Sequence, residues 1–520
     1  MRARAASDAA LVGAMISALV SPVARQLGVV AAGHAVSARA GADVLRAGGN
    51  AVDATLASML ASFVCEPLLT GLGAGGYMLV VAPGQAPTLL DFFVEAPGRG
   101  SDASRHGVLI PVRVSFGDAI QTFNIGAASV GTFGMPAGVC EAAGRFGRVP
   151  LEQLVAPAAA LARDGVELNR QQAYVVEILK ATITSTAEAA ALFAPGGRLL
   201  RAGDRLRQPE LADALERLGA EGARPFYEGD IGAAIVGWLA ERGGLVTAAD
   251  LRAYEVVDRE PLRVPYRERE VLTNPPPAAG GILLALALAL LDASPSPPSL
   301  TQIVDVMERT QTERTPEFLV GLDDPDFVHA FMRRGAGPLG STTHIAALDR
   351  EGWACSVTSS AGSASGVIVP GTGVHLNNML GEQDLNPLGF HRHPPGRRLP
   401  SMMAPTIVLR DGIPELAVGS AGSNRIRSAI LQTIIRCVDE GMLAQQAIDA
   451  PRMHFEDGVV YTEPGIDATA LEHAGRTLKP FHERNLFFGG AQAAARNPDG
   501  TFSGGGDPRR GGTAVVVAER

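Results

Sequence analysis

Thr342 stands where a glycine-rich segment runs into an apolar one, a position at which a hydroxyl group can be presented for chemistry. Residues 335–340 include three glycines and a proline and predict turn-prone backbone, whereas residues 343–348 predict a strand. A threonine hydroxyl is a poor nucleophile unless a base lies beside it, and an N-terminal threonine supplies that base as its own α-amine, which titrates at about pH 8. This chemistry requires cleavage of the bond between Ser341 and Thr342. The alternative interpretation of the threonine pair is ordinary β-strand propensity.

Residues 343–358 predict a β-hairpin that would position Thr342. A cluster of turn-forming residues at 349–352 separates two strand-like runs. Thr342 would then lie at the mouth of a buried strand. His344 lies two residues further on, and we interpret it as a packing or hydrogen-bonded residue because alternation along the strand directs its side chain away from that of Thr343.

Residues 71–76, Gly-Leu-Gly-Ala-Gly-Gly, formally satisfy the G-x-G-x-x-G pattern of dinucleotide-binding loops. That pattern holds a pyrophosphate only where it opens a helix. Here it precedes residues 77–81, which predict a strand. We therefore interpret the glycines as a tight turn packed against the sheet.

Further segments predict the elements that surround the hairpin. A strand is expected at 29–34, followed by helices at 38–48 and 50–64, with Asn50 as the N-cap of the second helix. Helical stretches with polar outer faces at about 170–256 indicate a peripheral layer. Residues 262–271 predict one strand, 282–292 an apolar buried helix and 301–334 a hydrophilic helical segment.

Composition and charge exclude several classes of protein. The chain has 520 residues, 46% hydrophobic and 19% charged, with a formal net charge of −9. These values are typical of a globular protein and argue against a nucleic-acid or anionic-membrane partner. No apolar run reaches the roughly 18 to 20 residues of a membrane span. We expect a cytoplasmic protein, with the mildly apolar run 9–20 as a weak export signal in the alternative.

The cysteines and histidines do not predict a metal site. Four cysteines, Cys65, Cys140, Cys355 and Cys437, are widely spaced in apolar surroundings and predict buried free thiols. Among ten histidines, the near pair is His391 and His393 in a proline-rich loop.

The motifs around the predicted hairpin resemble those of the γ-glutamyltranspeptidase family of N-terminal-nucleophile hydrolases. The matching residues are Thr342, Thr343, His344, Asp349, Gly352, Thr358 and the segment 373–378, Gly-Val-His-Leu-Asn-Asn. Residues 45–54, Leu-Arg-Ala-Gly-Gly-Asn-Ala-Val-Asp-Ala, are similar to a further family segment, and the resemblance covers nearly the whole chain. It implies an α+β fold, a four-layer αββα sandwich with the peripheral helical layer, and chemistry that requires no metal or organic cofactor.

The resemblance also implies a proenzyme that cuts itself before Thr342. The products would be a large subunit of residues 1–341 and a small subunit of residues 342–520, which carries the nucleophile. Both subunits would remain packed together as one intertwined structural domain.

Four residues receive catalytic roles through the resemblance. Thr342 is the nucleophile, and Ser360 falls where the family has a hydroxyl residue that hydrogen-bonds the nucleophile's amine and assists self-cleavage. The backbone N–H groups of Gly422 and Ser423 form the oxyanion hole. A strand-to-helix turn is the plainer interpretation of that glycine loop, and the two are compatible.

The expected substrate site departs from the family at its carboxylate-binding residue. Phe93 stands where the family has an arginine that binds the α-carboxylate of the glutamyl substrate. A phenyl ring cannot replace the bidentate fork of a guanidinium group. The favoured acyl group then lacks a free α-carboxylate, or a neighbour such as Arg99 or Arg113 substitutes.

Five more residues fall on substrate-binding positions of the family. Gly362 replaces an asparagine, Met379 replaces a glutamine, and Met402 replaces the second of two paired serines, of which Ser401 is kept. Glu382 falls on the aspartate that binds the substrate α-amine, so recognition of a cationic group is retained. The other changes shift the site toward apolar character.

Two functional hypotheses share this machinery. The first is γ-glutamyl transfer or glutathione hydrolysis, and the second is an amidohydrolase or acylase for a non-glutamyl acyl group. A third hypothesis, an uncleaved and inactive binding or scaffold protein, is opposed by the presence of Thr342, Ser360 and the glycine loop. The expected partner is a small-molecule amide or γ-glutamyl substrate.

Overall fold

The structure is a computed structural model that describes residues 25–101, 107–115, 120–312, 318, 322, 342–386, 389–422 and 424–519. In chain order its strands are β1 Gln26–Ala32, β2 Gly75–Val81, β3 Thr88–Phe92, β4 Ile110–Ser115, β5 Ile120–Ile125, β6 Val166–Glu167, β7 Arg205–Leu206, β8 Val257–Arg259, β9 Leu262–Tyr266, β10 Arg269–Thr273, β11 Thr343–Asp349, β12 Ala354–Ser360, β13 Thr406–Arg410, β14 Ile413–Ala421, β15 Met453–Glu456, β16 Val459–Thr462, β17 Thr477–Pro480, β18 Gly490–Arg496, β19 Phe502–Gly506 and β20 Thr513–Ala518.

The helices include both long elements and single turns. In chain order the α-helices of the described residues are α1 Ala35–Arg46, α2 Ala51–Cys65, α3 Met135–Phe146, α4 Leu151–Asp164, α5 Arg170–Ile178, α6 Lys180–Ile183, α7 Ala187–Phe193, α8 Pro209–Glu221, α9 Arg224–Tyr227, α10 Asp230–Glu241, α11 Ala248–Arg252, α12 Ala279–Asp292, α13 Leu300–Thr312, α14 Arg425–Val438, α15 Ala444–Asp449 and α16 Thr469–His473. Short 3-10 helices lie at Ala127–Ser129, Pro195–Gly197, Met379–Gly381, Gln383–Leu385, Leu486–Phe488 and Pro508–Arg510.

Two antiparallel sheets form the centre of the molecule. The first has the strand order β20-β1-β11-β12-β2-β3-β8, and the second has the order β19-β18-β14-β13-β10-β9. Strand β11 is buried along its whole length between β1 and β12, as expected for an uninterrupted apolar run in the middle of a covered sheet.

Helices cover the outer face of each sheet. Helices α1 and α2 pack on the first sheet, and α12 and α14 pack on the second. A third hydrophobic cluster, which includes Tyr77, Leu79, Ala417 and Ala494, fills the space between the sheets. These layers make the α+β, four-layer αββα sandwich that the resemblance implies.

The predicted N-cap of α2 is confirmed. The side chain of Asn50 accepts hydrogen bonds from the backbone N–H groups of Val52 and Asp53. The Asp53 carboxylate accepts the N–H of Asn50 in return, which completes a capping box. This cap fixes the start of the helix whose far end leads to Glu66, a residue that contacts Thr343 of β11.

The peripheral helical layer is also present. Helices α5 to α7 share a hydrophobic cluster with the β4–β5 hairpin, and this cluster includes Phe123, Val176, Ile183 and Phe193. It lies apart from the three clusters of the sandwich and forms one wall of a cavity described below.

The prediction of a single strand at 262–271 was wrong. The structure has two paired strands, β9 and β10, joined by Arg267 and Glu268, whose φ angles are 49° and 61°. Two left-handed residues match the twist of a tight hairpin, but this turn lacks the asparagine or glycine that usually signals it.

The structure tests the predictions on cysteine state and membrane-spanning helices. The four cysteines are free, as predicted, but only Cys65 and Cys355 are buried, whereas Cys140 and Cys437 are half-buried. Within the described ranges, no helix combines the length and apolar character needed to span a bilayer. The apolar run 9–20 and most of the segment 313–341 lie outside the described residues.

Candidate active site

Thr342 immediately precedes β11 and is 1% exposed. It lines a cleft of about 200 Å³, here called the nucleophile cleft after the role predicted for Thr342. The other lining residues are Phe93, Ser360, Met379, Glu382, Leu385, Ser401, Met402, Met403 and Ile426. Seven of the ten predicted site residues therefore meet in one place: Thr342, Ser360, Phe93, Met379, Glu382, Ser401 and Met402.

The hairpin register explains how Thr342 meets Ser360. Thr343 pairs with Ser359, so the next position out on each strand places Thr342 opposite Ser360 at the open end of the hairpin. The Ser360 hydroxyl accepts a hydrogen bond of 2.8 Å from the backbone N–H of Gly362. Thr342 and Ser360, which are 18 residues apart in sequence, are therefore neighbours across the two strands.

Phe93 follows β3 and presents a buried ring. It stacks on Tyr77 with 5.4 Å between ring centroids. Its carbonyl oxygen accepts hydrogen bonds from Arg398 Nη1 at 2.8 Å and from the Tyr254 hydroxyl at 2.7 Å. The Phe93 ring contributes apolar surface to the cleft, and the two hydrogen bonds to its carbonyl oxygen fix the Phe93 backbone.

Neighbouring arginines are occupied by carboxylates. Arg398 Nε lies 3.3 Å from Asp91, and Arg398 Nη1 lies 3.4 Å from Glu95. Arg99 pairs with the same Glu95 at 2.9 Å. Arg398, Arg99 and Arg113 are not among the described residues that line the nucleophile cleft.

Glu382 lines one corner of the cleft, and Gly362 lies beside it without lining the cleft itself. Glu382 Oε1 accepts a hydrogen bond of 3.1 Å from the N–H of Ser363, which also donates to Asn378 Oδ1 at 2.9 Å. Gly362 has φ of +67°, and a Cβ there would lie 2.0 Å from Asn378 Oδ1 and 2.6 Å from Glu382 Oε1. The two acceptors fill the space in which a side chain at 362 would begin.

Ser401 and Met402 are held by the start of α12. A Cβ on Gly280 would lie 2.0 Å from the carbonyl oxygen of Met402, so only glycine permits this approach. Gly280 N–H donates to the Ser401 carbonyl, and the Ser401 hydroxyl accepts the N–H of Met403 at 3.0 Å.

The predicted oxyanion loop lies at the end of β14. Gly422 has φ of +117°, and a Cβ there would lie 3.4 Å from Arg510 Nη2. Arg510 Nη1 in turn lies 3.5 Å from the carbonyl oxygen of Thr342. Ser423 lies outside the described residues, and the oxyanion role of this loop stays a prediction.

Comparison with known proteins identifies the family. The family described as Gamma-glutamyltranspeptidase matches residues 37–334 and 296–517. This chain belongs to the γ-glutamyltranspeptidase family. It is accordingly a hydrolase, as the family and its relatives indicate.

The relatives of this γ-glutamyltranspeptidase-family chain carry two kinds of name. It is 31% identical to an "Acylase ACY 1 proenzyme" from Pseudomonas sp. (strain V22), covering 96% of this chain and 95% of that one. It is 30% identical to the "Glutathione hydrolase proenzyme" of Bacillus subtilis (strain 168), covering 94% and 91%. The crystal structure of a cephalosporin acylase from Bacillus halodurans superposes with a TM-score of 0.79 at 26% identity, covering 95% and 96%.

Glu66 and Arg510 were missed by sequence reasoning. Glu66 is 4% exposed, and its Oε1 accepts a hydrogen bond of 3.1 Å from the Thr343 hydroxyl. Burial raises the pKa of Glu66 to about 7, against the smaller opposing effects of Thr343 and the Arg510 charge. Burial lowers the pKa of Arg510 to about 10. An acidic residue directly after an apolar helix was the available signal for Glu66.

His344 packs between the sheets, as predicted. Its Nδ1 shares a hydrogen bond of 2.8 Å with the Thr358 hydroxyl, and a Cβ on Gly419 would lie 2.4 Å from the ring. Burial lowers the pKa of His344 to about 3, so the imidazole is neutral.

The histidine pair of the proline-rich loop binds backbone. His391 Nε2 donates to the Ala128 carbonyl at 2.9 Å, and His393 Nε2 donates to the Leu385 carbonyl at 3.0 Å. Across the described ranges no group of three or more histidine, cysteine, aspartate or glutamate side chains has the geometry to hold a metal ion.

Proposed function

We propose that this γ-glutamyltranspeptidase-family hydrolase cuts itself before Thr342 and then hydrolyses amides whose acyl group carries no carboxylate. One observation carries the proposal: the charged side chain lining the nucleophile cleft is Glu382, and no lysine or arginine is among the described lining residues. Phe93, Met379 and Met402 make the rest of the wall apolar.

The mechanism uses the hydroxyl and the α-amine of one residue. The Thr342 hydroxyl oxygen attacks the amide carbonyl while the freed α-amine accepts its proton. The N–H groups of Gly422 and Ser423 stabilise the oxyanion of the tetrahedral intermediate. The amine leaves with a proton from the Thr342 ammonium, and water then hydrolyses the acyl-enzyme ester. The cross-strand position of Ser360 supports its assignment as the hydrogen-bond partner of the amine.

The charge of Glu382 argues for an acyl group that bears a cation or no charge. A substrate carboxylate in this cleft would meet a like charge and no counter-ion among the described lining residues, which disfavours its burial. A substrate ammonium group would pair with Glu382. We therefore expect an ω-aminoacyl or plain acyl chain to be preferred over a glutaryl chain.

The names of the relatives support this proposal and also a second candidate. The Pseudomonas protein is named an acylase, and the Bacillus halodurans structure is that of a cephalosporin acylase. The Bacillus subtilis relative is named a glutathione hydrolase at almost the same identity. That relative favours γ-glutamyl hydrolysis as the second candidate.

Four p-nitroanilides separate the candidates, because they differ only in the two substrate charges. They are the γ-glutamyl, 4-aminobutyryl, glutaryl and butyryl compounds, which carry both charges, the ammonium alone, the carboxylate alone and neither. We expect kcat/KM for the 4-aminobutyryl and butyryl compounds to exceed that for the γ-glutamyl compound by about 10-fold or more, the ratio that about 1.4 kcal/mol produces. A γ-glutamyl preference would establish the second candidate instead.

Glu382→Gln tests the residue that carries the argument. We expect kcat/KM for the 4-aminobutyryl compound to fall about 10-fold, with the butyryl compound changing far less, because only the former loses a charge pair. Glu440→Gln, at an exposed position, is the matched control and should change neither. An equal fall for both compounds would show that Glu382 acts on the fold of the cleft and not on substrate charge.

Thr342→Ala tests the nucleophile. We expect a single 520-residue chain on a denaturing gel and no anilide hydrolysis, whereas Thr343→Ser should be cleaved like the natural sequence because it keeps the hydroxyl that meets Glu66. Processing of Thr342→Ala would show that another residue is the nucleophile. Active protein that remains one unbroken chain would defeat the N-terminal mechanism.

A further inference from the structure

A second cavity lies on the helical side of the first sheet. It lies between the end of α2, helices α5 and α7, and strand β7, and its empty volume of about 620 Å³ includes space that is open to solvent. Most of its wall is apolar, formed by Leu68, Val175, Val176, Phe193, Leu206 and Leu486. We call it the helical-layer cavity.

This cavity is separate from the nucleophile cleft. Side chains of consecutive strand residues point to opposite faces of a sheet. Thr342 lines the nucleophile cleft, whereas the next residue, Thr343, bonds to Glu66, which lines the helical-layer cavity. No described residue lines both spaces.

One end of the cavity carries an acidic and a basic side chain, Glu66 and Arg510, that do not pair with each other. Glu66 uses Oε1 to accept the Thr343 hydroxyl, and its Oε2 has no hydrogen bond within the described part of the chain. Arg510 Nη1 reaches the Thr342 carbonyl, and its Nε likewise has no partner there. The Arg510 charge acts on the Glu66 carboxyl, although no ion pair within 4.0 Å joins these two described residues.

The other charged residues of the wall do not alter this balance. Arg509 already forms ion pairs with Glu463 and with Asp507. Glu167 is exposed to solvent at the rim. The buried end of the cavity therefore offers one carboxylate and one guanidinium group, separated by more than ion-pair distance.

We propose that the helical-layer cavity binds a small α-amino acid with an apolar side chain, its ammonium group on Glu66 and its carboxylate on Arg510. A zwitterion satisfies both buried charges at once, whereas a simple amine or acid would satisfy one and leave the other unpaired. The aliphatic wall then takes the side chain, in the usual pattern of an apolar site with a few converging polar groups.

Three probes that share one carbon skeleton test the head group. L-Leucine carries both charges, 3-methylbutylamine is leucine without its carboxylate, and 4-methylpentanoate is leucine without its amine. We expect calorimetric titration of the full protein to show leucine binding at least 10-fold more tightly than either analogue. Equal affinity for an analogue, or no leucine binding, would overturn the proposal.

Variants place the binding in this cavity and not in the nucleophile cleft. Val175→Trp fills the cavity from α5, and Glu177→Trp adds the same bulk to the exposed side of that helix as the matched control. Leucine binding should disappear in the first and persist in the second; binding that survives Val175→Trp would overturn the assignment.

Glu66→Gln, which preserves volume, should weaken leucine binding at least 10-fold, and unchanged affinity would overturn the role of the carboxylate.

Discussion

The carboxyl group of Glu66 gives the folded protein a pH-dependent stability. Burial raises the pKa of Glu66 to about 7 from an ordinary value of 4.5, so the folded chain holds this proton more tightly than the unfolded chain. Its contribution is therefore fully present below pH 4.5, where both states are protonated, and is lost as pH rises through about 7. Above that pH the buried charge is a cost that a neutral residue would not carry.

Glu66→Gln should therefore be more stable than the natural sequence at pH 8 by about 3 kcal/mol, because each pKa unit corresponds to about 1.4 kcal/mol. The difference should shrink as pH falls toward 5, and glutamine retains an oxygen to accept the Thr343 hydroxyl. Urea unfolding between pH 5 and pH 8 measures this, with exposed Glu228→Gln as the control. A difference that does not vary with pH would mean that the carboxyl group keeps an ordinary pKa when folded.

Whether a contact between site residues could be predicted depends on how far apart the two residues lie along the chain. Thr342 and Ser360 could be brought together from sequence, because a hairpin with a local turn fixes their register. The contacts of Glu66 with Thr343 and of Arg510 with Thr342 could not be predicted, because they span 277 and 168 residues of the chain. No local periodicity encodes such contacts, and the resemblance assigned no role to either residue.

At the scale of elements, the turn that follows β12 depends on glycine at 362 for two reasons. Its φ of +67° is left-handed, and a Cβ would contact Asn378 and Glu382. Gly371 offers a matched comparison, because its φ is +74° and a Cβ there would meet nothing within 4 Å. Substituting Gly371 therefore measures backbone strain alone, whereas substituting Gly362 measures backbone strain together with steric conflict.

Gly362→Ala should lose more stability than Gly371→Ala. We expect about 1 kcal/mol from backbone strain at each position and a further 1 to 3 kcal/mol at 362 from the displaced Asn378 and Glu382 side chains. Thermal unfolding measures the difference, and anilide hydrolysis should fall only in Gly362→Ala because Glu382 lines the nucleophile cleft. Equal losses would show that this corner of the cleft relaxes freely.

Elements bounded by turn-forming or capping residues could be predicted from the sequence. The turn between β9 and β10, which lacks such residues, could not. The hairpin of β11 and β12 follows from two apolar runs and the turn residues between them, as does the start of α2 from Asn50. The turn between β9 and β10 uses Arg267 and Glu268, which give no turn signal, so two strands were predicted as one. There the tertiary pairing of β10 with β13 prevails over local preference.

At the scale of the whole molecule, cleavage before Thr342 would divide strands that remain interleaved. In the first sheet, β11 and β12 of the small piece lie between β1 and β2 of the large piece, while β20 of the small piece pairs with the other edge of β1. In the second sheet, β13 of the small piece pairs with β10 of the large piece. Separating the pieces would expose the central strands of both sheets and the core between them.

The cleaved protein should therefore behave as one body of 53.9 kDa. We expect a single gel-filtration peak in native buffer that contains both pieces, and one cooperative unfolding transition followed by circular dichroism and by tryptophan fluorescence, since Trp238 belongs to the large piece and Trp353 to the small one. Uncleaved Thr342→Ala is the control and should elute at the same volume, because the interleaved sheets and not the peptide bond hold the pieces together. A small piece that elutes alone without denaturant, or that unfolds in a separate transition, would show that residues 342–519 do not depend on the large piece in the way that the strand order indicates.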